Sequence, residues 1–494
     1  MFELETAANP EKLRRIVIDP VTRVEGHGKV TILLDEANKV HQVRLHIVEF
    51  RGFEIFIEGR PYWEVPVTVQ RLCGICPVSH QLAAVKAMDI IAGYGQITPT
   101  AEKLRRLMHY GQMVQSHAVH FFHLASPDLL LGFDSDLTRR NIVGVVAKFP
   151  DIAKQGVLLR KYGQEVIRMV AGKRVHGTGA VPGGMNKALT IGERDLLRSE
   201  IDQMITWAKG AVGLVKKLHL TNPDFYDRFG EFDSNMMGFV DGSGAMDLYH
   251  GGLRAKDADG AIIFDHVDYA GYQEVLHEEI KPWSYMKFPF IRDLGPEKGW
   301  YKVGPLARVQ VCDRIPTPLA EAERRELLAI GQGRPAHGTL VFHWARLIEL
   351  LHAAEVIRDL LDDSDITGTH LLADKGPRKG EAVGVIEAPR GTLFHHYRVD
   401  ENDLVTYCNL IVSTTNNNSA MNEAIRTVAK QYLTGHEVTE GLLNHIEVAI
   451  RAYDPCLSCA THALGKMPLE VDIVDFDGKL LDRGSRNMTV SDEG

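Results

Sequence analysis

The chain has 494 residues, 45% of them hydrophobic and 24% charged, with a formal net charge of −9; it can bury a large core and reads as a soluble globular protein. Acidic and basic residues are interspersed, and without a basic stripe nucleic acid is a poor candidate partner. No apolar run is long enough to span a bilayer, the N-terminal MFELETAANPEKLRR lacks the apolar stretch of a signal peptide, and six cysteines in so long a chain are no disulfide framework, which together point to a reducing cytoplasm.

From Arg15 to about Phe50 the pattern is that of strands: Val43, Leu45 and Ile47 alternate with Gln42, Arg44 and His46, after turn residues at Asp35 to Asn38. A small antiparallel sheet is expected within about 15–60. After Cys76, Pro77 suits a first helical turn and QLAAVKAMDIIAGY continues with good helix formers. A helix N-terminus there should lower the thiol pKa of the pair Cys73/Cys76. Longer helical patterns follow at roughly 99–125, 191–219, 339–363 and 417–433, and one at 438–452 stops before Asp454-Pro455, because a residue preceding proline disfavours the helical region. The stretch 225–310, richer in Gly, Asp and Tyr, reads as an irregular insertion with short strands. The expected fold is mainly α with α+β character: a central bundle of long helices, a small N-terminal antiparallel sheet and irregular αβ insertions.

Four of the six cysteines form two Cys-x-x-Cys pairs at opposite ends of the chain, Cys73/Cys76 in RLCGICPVSH and Cys456/Cys459 in DPCLSCATH. This reads as one four-thiolate metal site closed by the fold. A zinc ribbon would hold its pairs within about 15 to 20 residues of one another; a closed zinc site, an iron-sulfur cluster or two separate redox dithiols remain open on spacing alone. His117, His120 and His123 recur every third residue and spread across about a third of a helix circumference, so they read as buried or hydrogen-bonding histidines. Gly177, Gly179 and Gly183 do not follow G-x-G-x-x-G, and no nucleotide site is assigned.

The local wording is more specific. RVEGH (Arg23–His27), FRGFE (Phe50–Glu54), RLCGICPVSH (Arg71–His80), EAPRG (Glu387–Gly391) and DPCLSCATH (Asp454–His462) together resemble the large subunit of nickel-iron hydrogenases, over about residues 15–462. DPVTRVEGHGKV and HIVEFRGFE look most like the cytoplasmic NAD-reducing type. The resemblance implies the hydrogenase large-subunit fold over 1–462 and a nickel-iron centre with carbon monoxide and cyanide on iron. Cys73 and Cys456 would bind nickel terminally, and Cys76 and Cys459 would bridge nickel to iron. It also implies Glu25 as the proton-transfer group, Arg390 as the cation over the open site, and His80 as a hydrogen-bond partner of a bridging sulfur. Ser413 would bond an iron-bound cyanide, and Glu54 and His462 would hold magnesium or iron. Val412 departs from the proline of many relatives, and Ser116 from an aspartate beside the arginine.

Cys312 and Cys408 are too few and too dispersed for an iron-sulfur cluster, so electrons from H2 must leave through a partner. By resemblance the partners are flavin-containing diaphorase subunits and a small iron-sulfur subunit, so that NAD, FMN and iron-sulfur clusters sit on other chains. The family is cut after the histidine of DPCxxCxxH, which predicts cleavage between His462 and Ala463 by a maturation endopeptidase after nickel-insertion proteins have acted, and makes 463–494 a removable extension. The expected activity is reversible H2:NAD+ oxidoreduction. A related hydrogenase with another soluble acceptor and a zinc-stabilised interaction protein are the alternatives.

Overall fold

The computed structural model describes residues 14–19, 21–35, 37, 39–136, 138–433, 440–462, 469–474 and 480–486. Three antiparallel strands open it, β1 (Arg14–Ile18), β2 (Gly28–Leu34) and β3 (Val40–Ile47), with β2 in the middle. The sheet ends at Ile47, short of the expected 60, because the chain turns into a helix at Phe53–Ile57 and further single turns up to Leu72.

Long helices form the centre: α1 (Pro77–Ala92), α2 (Pro99–Val119), α3 (Pro150–Ala171), α4 (Ile191–Thr221) and later α6 (Val341–Asp362). Helix α2 packs on α3, and α6 packs on both α2 and α4. Helix α3, which sequence reasoning did not predict, has the apolar spacing of an amphipathic helix and buries Leu159, Val166 and Val170. The expected helix over 99–125 is α-helical to Val119 and widens into a π-helix at His120–Ala125.

The insertion is more ordered than expected. It holds a four-stranded sheet in the order β7 (Tyr301–Lys302), β4 (Asn235–Val240), β5 (Gly252–Lys256), β6 (Ile262–Val267), followed by helix α5 (Pro305–Val311). Its inner residues Met237, Phe239 and Leu253 share a small second core with Val383, Val385, Phe394 and Ile411. Those last residues belong to a further antiparallel sheet, β8 (Glu381–Ala388), β9 (Gly391–Val399) and β10 (Val405–Ile411). Helix α1 lies against β8 and β9, and a Cβ at Gly384 would come within 2.0 Å of the Ala83 carbonyl. That close packing puts the end of α1 that bears Cys76 beside the β8–β9 turn.

Helices α7 (Asn418–Tyr432) and α8 (Glu440–Ala452) lead to the second cysteine pair. The chain ends meet there. Arg451 donates to the Thr22 carbonyl and Glu447 accepts from the Thr22 amide, while Leu457 N donates to Glu25 O at 2.9 Å. Beyond His462, strands β11 (Leu469–Val474) and β12 (Leu480–Arg486) pair antiparallel, whereas Ala463 and the expected cleavage point lie outside the described residues.

Candidate metal centre

Cys73, Cys76, Cys456 and Cys459 are all buried, and their sulfur atoms lie within 4.8 Å of one another. Cys73 and Cys456 are 3.1 Å apart, Cys456 and Cys459 2.8 Å, and Cys76 and Cys459 4.0 Å. Among the described residues this is the one group of three or more Cys, His, Asp or Glu side chains able to share a metal ion. Cys312 and Cys408 are buried elsewhere, and burial pushes both thiols up, Cys312 to about 11.

Cys76 is the N-cap of α1, with Pro77 opening the helix as expected. The amides of Ile75 and Cys76 point at Cys73 Sγ from 3.2 and 3.3 Å. Hydrogen bonding from Cys456 first and then from Cys459 lowers Cys73 well below the ordinary range and Cys76 to about 6. Desolvation pushes Cys456 and Cys459 the other way. Four thiols crowded out of water in this manner are costly to hold charged and fit a soft divalent metal, which would supply the missing charge.

Glu25 is half-buried, and its Oε2 lies 2.9 Å from Cys456 Sγ and 3.2 Å from the Ser458 amide. The Ser458 hydroxyl donates to its other oxygen. Gly26 makes the approach possible: its φ is +83°, and a Cβ there would sit 2.6 Å from Ser458 N.

Arg390 occupies the two-residue turn between β8 and β9, where Ala388 pairs with Gly391. Gly391 has φ +135°, and a Cβ would stand 2.2 Å from Val303. The turn is held from below by Arg308, which donates to the Ala388 carbonyl at 2.8 Å and pairs with Glu349 and Glu387, all without solvent exposure. Arg390 Nη2 bonds Asp454 Oδ1 at 3.0 Å, its Nε donates to the Asp454 carbonyl, and Nη1 is 3.5 Å from Ser116 Oγ. Against burial, Asp454 and the nearby thiols of Cys456, Cys76 and Cys73 keep the guanidinium charged. Asp454 stands where sequence reasoning named no partner; its φ of 54° is uncommon for a residue with a side chain, and the ion pair with Arg390 holds it there.

A small cavity with room for about one water-sized molecule is lined by Cys76, His80, Arg390, Ser413, Thr414 and Cys456. His80 is fully buried, and its Nε2 has no hydrogen-bond partner among the described residues. Ser413 Oγ gives its proton to the Gly391 carbonyl at 2.7 Å, so serving a bound cyanide would require that hydroxyl to turn. Its neighbour Thr414, absent from the sequence prediction, accepts the Cys456 amide at 2.9 Å.

Glu54 and His462 are both buried, yet among the described residues no hydrogen bond joins them. Glu54 Oε1 accepts from Lys287 Nζ at 2.9 Å and from the Leu410 amide at 2.7 Å. Among the described residues neither ring nitrogen of His462 has a hydrogen-bond partner of good geometry, and burial, with Lys287 nearby, pulls its pKa down to about 3. His117 and His120 are buried hydrogen-bonding residues as expected, to Glu349 and to the Arg451 carbonyl, whereas His123 is half-buried and among the described residues its Nδ1 has no hydrogen-bond partner.

An all-sulfur pocket reached by one carboxylate and one guanidinium fits a metal-dependent redox enzyme. The chain belongs to the nickel-dependent hydrogenases and is their large, catalytic subunit: that family's model matches residues 51–131 and 248–462, and one described as HoxL-like matches residues 15–50. It is 49% identical over 487 residues to the NAD-reducing hydrogenase HoxS subunit beta of Cupriavidus necator, covering 96% of this chain and 100% of the relative. It is 46% identical over 418 residues to one component of the vhu F420-non-reducing hydrogenase of Methanocaldococcus jannaschii, covering 84% of this chain and 99% of that relative. A crystal structure of an NAD+-reducing [NiFe]-hydrogenase in the H2-reduced state superposes with a TM-score of 0.89 at 57% identity, over 91% of this chain and 99% of the other. The [NiFeSe]-hydrogenase of Dm. baculatum shares the fold, with a TM-score of 0.73 at 24% identity over 91% of this chain and 100% of that one.

Proposed function

We propose that the four thiolates hold a nickel-iron centre, with Cys73 and Cys456 terminal on nickel and Cys76 and Cys459 bridging to an iron that carries carbon monoxide and cyanide, and that the electrons of H2 finally reach NAD. The observation that carries this reading is the convergence of four buried sulfurs within 4.8 Å, with Glu25 on one of them. When bound, such a centre supplies the electron-rich, redox-active metal at which dihydrogen splits heterolytically. The residues of the chain supply the rest. The Cys456 sulfur accepts the proton, Glu25 takes it at Oε2, and its second oxygen passes it outward on the half-buried side. Arg390, pinned by Asp454, keeps a fixed positive charge facing the cavity. Ser413 and Thr414 line the same space.

Glu54 and His462 are proposed to hold magnesium or iron. The carboxylate of Glu54 is a natural ligand of a hard cation, and the buried imidazole of His462, without a hydrogen-bond partner among the described residues, is a less usual one for magnesium that suits iron better. A small iron-sulfur subunit is the proposed electron outlet, with FMN and NAD on diaphorase subunits beyond it. Its docking site is the segment 48–67, where Val48, Phe50, Ile55, Phe56, Trp63 and Val67 are exposed. Arg51 ties this segment to the cysteine loop by bonds to the Leu72 and Arg71 carbonyls. In support, the NAD-reducing relative is named as one subunit of a larger hydrogenase. No helix among the described residues is long and apolar enough to cross a membrane; a cytoplasmic location is proposed. Removal of 463–494 during maturation is also proposed, supported by the family match ending at residue 462.

Metal analysis of the purified complex tests the reading. Nickel and iron in equal amounts, infrared bands of bound carbon monoxide and cyanide, and H2-dependent reduction of NAD are expected; zinc alone would refute the centre. Mass spectrometry of the nickel-loaded subunit should find a chain ending at His462, and a working subunit that retains Gly494 would end the maturation proposal.

A further inference from the structure

Tyr397, His395 and His80 form a buried line of hydrogen bonds that ends at the metal cavity. The Tyr397 hydroxyl lies 2.6 Å from His395 Nδ1, and His395 Nε2 lies 3.1 Å from His80 Nδ1. All three side chains are fully buried. Tyr397 and His395 are alternate residues of β9 and so share one face of the sheet, and α1, which carries His80, packs on that strand. At the far end, His80 lines the cavity with Cys76, Arg390 and Cys456, and among the described residues its buried Nε2 has no hydrogen-bond partner.

Proton counting gives the line a direction. A buried phenol must donate its proton, and His395 Nδ1 is the one partner of the Tyr397 hydroxyl among the described residues. That nitrogen is then an acceptor, and a neutral imidazole with an accepting Nδ1 carries its proton on Nε2. His395 Nε2–H therefore donates to His80 Nδ1, which leaves the His80 proton on Nε2, at the cavity. The opposite polarity would strand the Tyr397 proton and aim a bare imidazole lone pair at a pocket of thiolates. Burial keeps both intermediaries neutral: it holds His395 well below, and Tyr397 well above, their ordinary ranges.

We propose that Tyr397, acting through His395, fixes the tautomer of His80 so that its Nε2–H is a standing hydrogen-bond donor into the sulfur-lined cavity. Tyr397 and His395 are thus positioning residues for the reaction. The inference rests on reading the cysteine tetrad as the nickel-iron site. A donor into this cavity draws electron density from the group that fills it; on the proposed reading, losing it would return that density to the carbon monoxide and cyanide carried by the iron.

The test uses the assembled enzyme with Tyr397→Phe, His395→Leu and His395→Gln. Nickel and iron should stay at wild-type levels in all three. In Tyr397→Phe and His395→Leu the infrared bands of bound carbon monoxide and cyanide should move to lower wavenumber or split into two sets, as the second tautomer or no donor takes over. His395→Gln, whose amide N–H can replace the lost donor to His80, should bring the bands back toward wild type. A single unshifted set of bands in metal-replete Tyr397→Phe would overturn the proposal, and that variant removes one oxygen atom, so it carries the test if His395→Leu fails to fold. Absence of nickel from the wild-type enzyme would instead sink the reading of the tetrad.

Discussion

The sulfur of Cys456 and the carboxylate of Glu25 lie 2.9 Å apart although 431 residues separate them in the chain. A bridge between the two backbones at these positions, with the Leu457 amide on the Glu25 carbonyl, locks the pair in register. The carboxylate is half-buried, which gives a proton on the sulfur a path toward solvent. In Glu25→Gln the hydrogen bonds to Ser458 can largely persist, but the amide cannot take up a proton. Hydrogen-deuterium exchange should fall by about 10²-fold or more with nickel content unchanged. Full exchange activity in the variant would remove Glu25 from the proton path.

Arg390 makes two bonds to Asp454 and keeps the fork geometry that an ammonium lacks. Arg390→Lys should therefore lower kcat by about 10²-fold, with metal content and fold intact. Unaltered turnover would show the guanidinium to be structural.

Acid should destabilise the helical core. Burial lowers His109 and His343 to about 3 and His117 and His352 to about 4, from an ordinary 6.5. Between those values the unfolded chain binds protons that the folded one does not, so stability is intact above about pH 6.5 and is lost as pH falls toward 4. Each histidine contributes up to about 1.4 kcal/mol per pH unit in that window. The thermal unfolding midpoint of the enzyme should drop steeply between pH 7 and pH 5; a midpoint that holds or rises over that range contradicts the assignment of neutral buried imidazoles.

The four cysteines were legible because residue type and Cys-x-x-Cys spacing survive in one dimension, and the helix after Cys76 because Pro77 marks its start. The sheet from Glu381 to Ile411 was not, since nearly every position of its first two strands is buried on both faces, so EAVGVIEA and GTLFHHYRV mix polar and apolar residues without the alternation of a half-exposed strand. His80 on α1 would pass for a surface residue by pattern alone; nearly every position of that helix is buried, which erases the amphipathic signal. Asp454, Thr414 and His395 gain their roles from partners tens to hundreds of residues away, and no local pattern encodes such a pairing; Tyr397 acts through His395, two residues before it, and so inherits that distance. Asp454 was the most accessible of them, as it stands within the quoted DPCLSCATH.

The electron outlet can be tested on the segment 48–67. Trp63 is 52% exposed, Phe56 48% and Ile55 53%, a concentration of large apolar side chains close to the Cys73 loop. Aromatic anchors of this kind dominate interfaces, and truncating or charging one costs about 2 kcal/mol or more, roughly 30-fold in affinity. Trp63→Glu should release the iron-sulfur subunit during purification and abolish H2-dependent NAD reduction. Leu220→Glu, equally apolar and 58% exposed but at the end of α4, should do neither. Hydrogen-deuterium exchange at the nickel-iron site needs no electron exit, so it should survive in any Trp63→Glu subunit that keeps its metals. An intact complex in Trp63→Glu would place the partner on another face.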